Sequence, residues 1–141
     1  MHLRSFIVVL SLALLPAGVA AQQIELPTEV QEWMNDGWQR RFMGMVRLGD
    51  SLFNNGSCQR CHGENGAGGR NGPNLSDSEW VQSEGNLAGI FETIFWGVRR
   101  RDFADPNRRF QMNPTGGMNL EWDEIRSLAA YVWSLSRQTN N

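Results

Sequence analysis

The sequence predicts an all-α domain that wraps its helices around a large group not made of protein. Three observations lead there. Apolar residues recur with helical period in several windows and alternate nowhere, so no strand competes. Those windows are short and separated by long Gly-rich and Arg-rich stretches, which leave little helix surface to bury. The only two cysteines stand three apart in "SCQRCHG", with a histidine directly after the second.

The first segment, "MHLRSFIVVLSLALLPAGVAAQQ", places Arg4 before an apolar run that ends at Pro16, followed by small residues up to Ala21. This is the layout of a Sec-type signal peptide over residues 1–21. A retained anchor is the alternative, although the apolar run is about half the roughly 20 residues a span needs. No later segment is apolar enough to cross a bilayer, so an exported, periplasmic protein without a span after signal removal is expected. What remains suits one small domain, with twelve arginines, no lysine and fifteen acids. That acidic balance argues against nucleic acid as a partner.

"PTEVQEWMNDGW" begins with a capping box, Thr28 and Gln31, behind Pro27. Asp36-Gly37 is expected to interrupt the helix, leaving a short extension helix ahead of a second one of about four turns. Trp38, Phe42, Met45 and Leu52 mark that second helix, which stops at Asn54-Asn55-Gly56. Trp33 and Trp38 are expected to staple the extension to the body. "GENGAGGRNGPNL", 63–75, holds five glycines and a proline and reads as loop. Ser76 and Glu79 suggest a capped short helix near Trp80. Asn86 caps "LAGIFETIFWG", whose Leu87, Ile90, Phe91, Ile94 and Phe95 share a face, and Gly97 ends it. Residues 98–119 are irregular. The last helix, 121–136, has an acidic first turn and Arg137 just beyond it, as the helix dipole favours.

Cys58, Cys61 and His62 admit three chemistries. A thiol-disulfide redox pair normally follows a strand in a βαβ unit, and no strand precedes Cys58. A structural zinc needs four ligands, and the chain has no second Cys/His cluster. Covalent haem attachment gives every position a mechanical role: two thioethers to the porphyrin edge, then an imidazole aimed at the iron. One haem c would also supply the missing core. After signal removal His62 is the only histidine. A sixth ligand must therefore be methionine, or the site stays open as in a ligand-binding sensor. Met34, Met43 and Met45 fall on the first helices, where packing explains them; Met112 and Met118 lie in the late loop.

With these pieces in view, "GDSLFNNGSCQRCHG", "GPNL", a loop methionine and "LAAYVWSLS" resemble the class I (monohaem) c-type cytochromes, over about 47–137. The resemblance implies a cytochrome c-like helical fold, with 22–46 as an N-terminal extension and 138–141 as a tail. It implies a Pro73 carbonyl holding the histidine's outer nitrogen, and a crossing of Gly49 and Phe53 with Tyr131. Its methionine spacing favours Met112, nineteen residues before Tyr131, over Met118, thirteen before it. Asn113, inserted in the "MNPTGG" segment, keeps Met118 as the alternative. His/Met ligation suits outer-sphere electron transfer, since a thioether favours Fe(II) and closes the iron to substrate.

Supporting residues are expected from the same scheme. Leu75 is placed against the haem, though any apolar residue there would be buried. Trp96 is a candidate indole donor to a propionate, with plain packing an equal alternative. Arg99, Arg100, Arg101, Arg108 and Arg109 gather in "VRRRDFADPNRRFQ"; one or two of them, Arg100 and Arg101 foremost, are candidates for propionate pairing and the others for steering an acidic redox partner, with a solvated loop as the plain alternative. The expected protein is a monomeric single-electron carrier, not itself an enzyme, though able to serve as the electron-accepting subunit of an oxidoreductase. The "IFETIF-G" helix resembles cytochromes served by quinoprotein dehydrogenases, whereas the arginine loop and C-terminal helix resemble haem–copper oxidase domains.

Overall fold

The computed structural model describes residues 28–105 and 107–138. The expected signal segment 1–21, and residues 139–141 of the expected tail, lie outside the described residues. Among these described residues four α-helices follow one another: α1 (Thr28–Asn55), α2 (Cys58–His62), α3 (Leu87–Trp96) and α4 (Trp122–Gln138). Short 3-10 turns occupy Glu64–Gly66, Arg100–Asp102 and Pro114–Gly117. Among the described residues no strand forms beyond an isolated antiparallel bridge between Val98 and Met112. No described helix is long and apolar enough to cross a membrane.

The first correction concerns α1. It runs unbroken through Asp36-Gly37 to Asn55. One glycine inside a helix costs about 1 kcal/mol relative to alanine, which the rest of so long a helix outweighs. Trp38 does not staple the helix to the body, being 70% exposed; the Trp33 side chain lies outside the described residues. Phe42 makes that contact instead, meeting Trp133 of α4 edge-on with ring centroids 5.5 Å apart.

A second correction falls at 76–84, where no helix forms. The Ser76 amide and hydroxyl both donate to the Asn74 side chain, at 2.8 and 2.7 Å. Asp77 meanwhile accepts from the Glu79 amide at 3.0 Å. These side-chain bonds close turns and compete with the helical pattern the capping box suggested. The next cap forms as expected: the Asn86 side chain accepts from the Gly89 amide at 2.8 Å and starts α3.

The core sits where α1 crosses α4. A Cβ on Gly49 would overlap the Ser127 carbonyl, so only glycine allows the two backbones this approach. Beside the crossing, Phe53 is buried against Tyr131 with ring centroids 5.4 Å apart. Leu128, Ala129, Val132 and Leu135 of α4 and Ile90 and Ile94 of α3 complete one cluster. The chain between α2 and α3, and between α3 and α4, loops around this small core and leaves a cleft between them.

Candidate haem site

The cleft has a volume of about 310 Å³. Ile90 and Ile94 of α3 and Leu128 and Val132 of α4 line it, which makes its interior largely apolar. Cys58 and Cys61 come from α2, a five-residue helix pinned at its start by the Ser57 hydroxyl, which donates to the Gly116 carbonyl at 2.8 Å. Of the expected site residues, Cys58, Cys61, His62, Pro73, Leu75 and Met112 all line this cleft.

His62 is oriented by its outer nitrogen. Nδ1 lies 3.1 Å from the Pro73 carbonyl oxygen. A carbonyl only accepts, so Nδ1 carries the proton and the Nε2 lone pair is left for a metal. Burial pushes the His62 pKa below its ordinary value; the Pro73 bond opposes this, and the Arg108 charge adds to it. A neutral imidazole is the form that ligates iron.

The two thiols are free of one another. Burial pushes Cys58 up to about 11. Redox-active cysteines require the opposite displacement, toward the thiolate. Cys58 is therefore not an activated thiolate of the kind disulfide exchange needs.

Met112 reaches the cleft from the loop after α3. Its backbone pairs with Val98 through two hydrogen bonds, Val98 N–H to Met112 O at 2.8 Å and Met112 N–H to Val98 O at 3.0 Å. Gly97 makes the pairing feasible: its φ is +67°, and a Cβ there would overlap the Met112 carbonyl. Met118 does not line the cleft; its sulfur packs against Gly56 at the end of α1. The inserted Asn113 that kept Met118 in contention is absorbed by a turn in which Thr115 and Gly116 both take positive φ.

Three expected supporting residues are not in the cleft. Trp96 is 71% exposed and turns its ring edge-on to Phe95 at 4.7 Å. It belongs to an aromatic series in which Phe91 and Phe95 stack on Trp122, and it does not line the cleft. Arg100 and Arg101 are exposed; Arg101 meets Asp102 at 3.7 Å, and Arg100 only the Arg109 carbonyl at 3.5 Å. Arg108 is the inward arginine, one of the five that the sequence offers for propionate pairing, although it puts Arg100 and Arg101 foremost. Its Nη1 is buried with no hydrogen-bond partner. Nothing in the arginine run distinguishes it locally, since which cation turns inward depends on the loop's path.

Apolar walls, two thiols, a neutral imidazole, a thioether and an orphaned buried guanidinium form a donor set suited to an iron porphyrin with carboxylate side groups. The cytochrome c family model matches residues 46–136. This chain belongs to the cytochrome c family. A cytochrome c domain implies haem c as cofactor, and the helical fold is that of the family.

Named relatives agree. This cytochrome is 38% identical over 92 residues to the Cbb3-type cytochrome c oxidase subunit FixP of Sinorhizobium medicae, covering 65% of this chain and 30% of that protein. It is 35% identical over 81 residues to the Cbb3-type cytochrome c oxidase subunit CcoP of Cereibacter sphaeroides, covering 56% of this chain and 24% of that one. The chain thus spans under a third of the length of these curated relatives. Among solved structures, cytochrome cL of Methylophaga aminisulfidivorans superposes with a TM-score of 0.52 at 29% identity, over 81% of this chain and 69% of that one.

Proposed function

We propose that this cytochrome is a periplasmic, monomeric carrier of single electrons with one haem, bound covalently through Cys58 and Cys61 and ligated by His62 and Met112. The observation that carries the reading is the convergence of those four side chains on a single apolar cleft. The haem supplies the one-electron Fe(III)/Fe(II) couple. The two cysteines hold it in register with α2, and Pro73 keeps the His62 ring turned with Nε2 free. The Val98 pairing fixes the Met112 backbone, so its thioether is presented without a large rearrangement between oxidation states. A soft sulfur donor favours the reduced iron, and a filled sixth position keeps small ligands away.

A haem–copper oxidase is the acceptor we favour, because the FixP and CcoP relatives are named as subunits of Cbb3-type oxidases. Arg99, Arg100, Arg101 and Arg109 are exposed on the loop after α3, in a chain with an acidic balance overall. That patch suits an acidic docking face. The signal segment supports export.

The test is expression in a bacterium able to mature cytochromes c. The expected product is heavier than the polypeptide left by signal removal by one haem, with a weak long-wavelength ferric band and slow CO binding. A colourless protein of bare polypeptide mass would refute the reading; rapid CO binding would replace Met112 ligation with an open-site sensor.

A further inference from the structure

The chain places five arginines between Arg99 and Arg109, and four of them are exposed. Arg108 differs. It lines the cleft, its side chain is 22% exposed, and Nη1 is sealed from solvent without an acceptor. Its ion pair with Asp105 runs through Nε at 3.7 Å, too long for a hydrogen bond, and leaves the far end of the guanidinium free. A buried guanidinium nitrogen without an acceptor costs free energy, so a group the fold is built to receive should supply one.

The remaining charged groups on the cleft wall do not meet that need. Besides Arg108 and the His62 ring they are Arg60, Glu79 and Asp105. Arg60 is a cation, Glu79 is exposed and Asp105 is engaged at Nε. We propose that Arg108 is the carboxylate-binding residue of the cleft, pairing through its buried guanidinium edge with a propionate of the haem and thereby setting the midpoint potential. The inference rests on the haem reading above.

The electrostatics give the effect a sign. Ferric haem carries one more positive charge than ferrous haem, and an unneutralised propionate stabilises the ferric form. A fixed cation on that propionate removes this stabilisation and raises the potential. The low dielectric of a sealed site magnifies the effect relative to a surface arginine.

The experiment uses matured, haem-loaded protein and spectroelectrochemical midpoints. Arg108→Gln should lower the midpoint, Arg108→Lys should restore most of the loss, and Arg101→Gln should leave it near wild type. Asp105→Asn discriminates between roles. If Arg108 served only to brace the loop through Asp105, D105N would lower the midpoint as R108Q does; under the proposal it leaves the midpoint unchanged or raises it, because an anion is removed. An unshifted midpoint in R108Q with its haem and spectrum intact overturns this inference alone, whereas wild-type protein without haem overturns the functional reading as well. Should R108Q fail to load haem, a fall in D105N, or a large loss in R108K, still overturns it.

Discussion

Val98 and Met112 hold each other by a reciprocal pair of backbone hydrogen bonds, 2.8 and 3.0 Å long, directly after the glycine that ends α3. The pairing ties the loop that carries Met112 to the helix that lines the cleft. It separates two methionines, six residues apart, that local sequence leaves nearly equivalent.

Met112→Ala should therefore abolish the weak long-wavelength ferric band, lower the midpoint potential and make CO binding fast. Met118→Ala should keep all three near wild type and cost roughly 2 kcal/mol of stability, the lower end of the range for methionine truncation, because Met118 is only half-buried. Spectra and a denaturant titration of each variant decide this. The reverse pattern would transfer the sixth position to Met118.

Gly97→Ala probes the same pairing from the other side. The +67° backbone and the overlap with the Met112 carbonyl leave no room for the added methyl. The bridge should open, and the variant should show faster CO binding than wild type while its haem content stays full.

The helix crossing makes a stability prediction. Gly49→Val would drive its side chain into the Ser127 carbonyl of α4. The expected cost is about 3 kcal/mol, the upper end for overpacking, read as a lower unfolding midpoint in guanidinium. A wild-type midpoint would show that α1 and α4 do not cross this closely in solution.

Tyr131 is the chain's only tyrosine, and the chain contains no lysine. In the proposed haem-loaded form, whose cysteines are both thioethers, tyrosine is the side chain that ordinarily titrates near pH 10. Burial raises the Tyr131 pKa above its ordinary value of 10; the Asn54 hydrogen bond opposes this and Asp50 adds to it. Asn54 donates to the hydroxyl at 2.9 Å, and the hydroxyl donates to Asn65 at 3.2 Å. A raised folded pKa means that the fold prefers the neutral phenol. Its stabilising contribution is complete below the unfolded pKa near 10 and is lost as pH rises through the folded value. Unfolding free energy should therefore decline above pH 10, and Tyr131→Phe should flatten that decline at a cost of about 1 kcal/mol.

The exposed arginines predict kinetics. Replacing Arg100 and Arg101 together with glutamine should slow electron exchange with an acidic partner by roughly tenfold at low salt. The difference should shrink as the Debye length falls below about 10 Å, above 0.1 M salt. Stopped-flow rates across a salt series test it, and parallel salt curves would remove these residues from docking.

Contiguous residues determined much of this protein by themselves. The helical period placed α3 and α4, Asn86 and Gly97 marked the ends of α3, and "CQRCH" named the cofactor chemistry, because each signal is complete within a few neighbouring positions. The placement of chemically similar side chains belonged to the tertiary structure: Met112, which the family spacing favoured, lines the cleft and Met118 does not, Arg108 turns inward while Arg100 and Arg101 stay in solvent, Trp96 lies on the surface, and α1 runs unbroken past Gly37. Each of those placements turns on what distant segments bury. A side chain's environment is made by α3, α4 and the loops folding against it, and that information is not local to the residue.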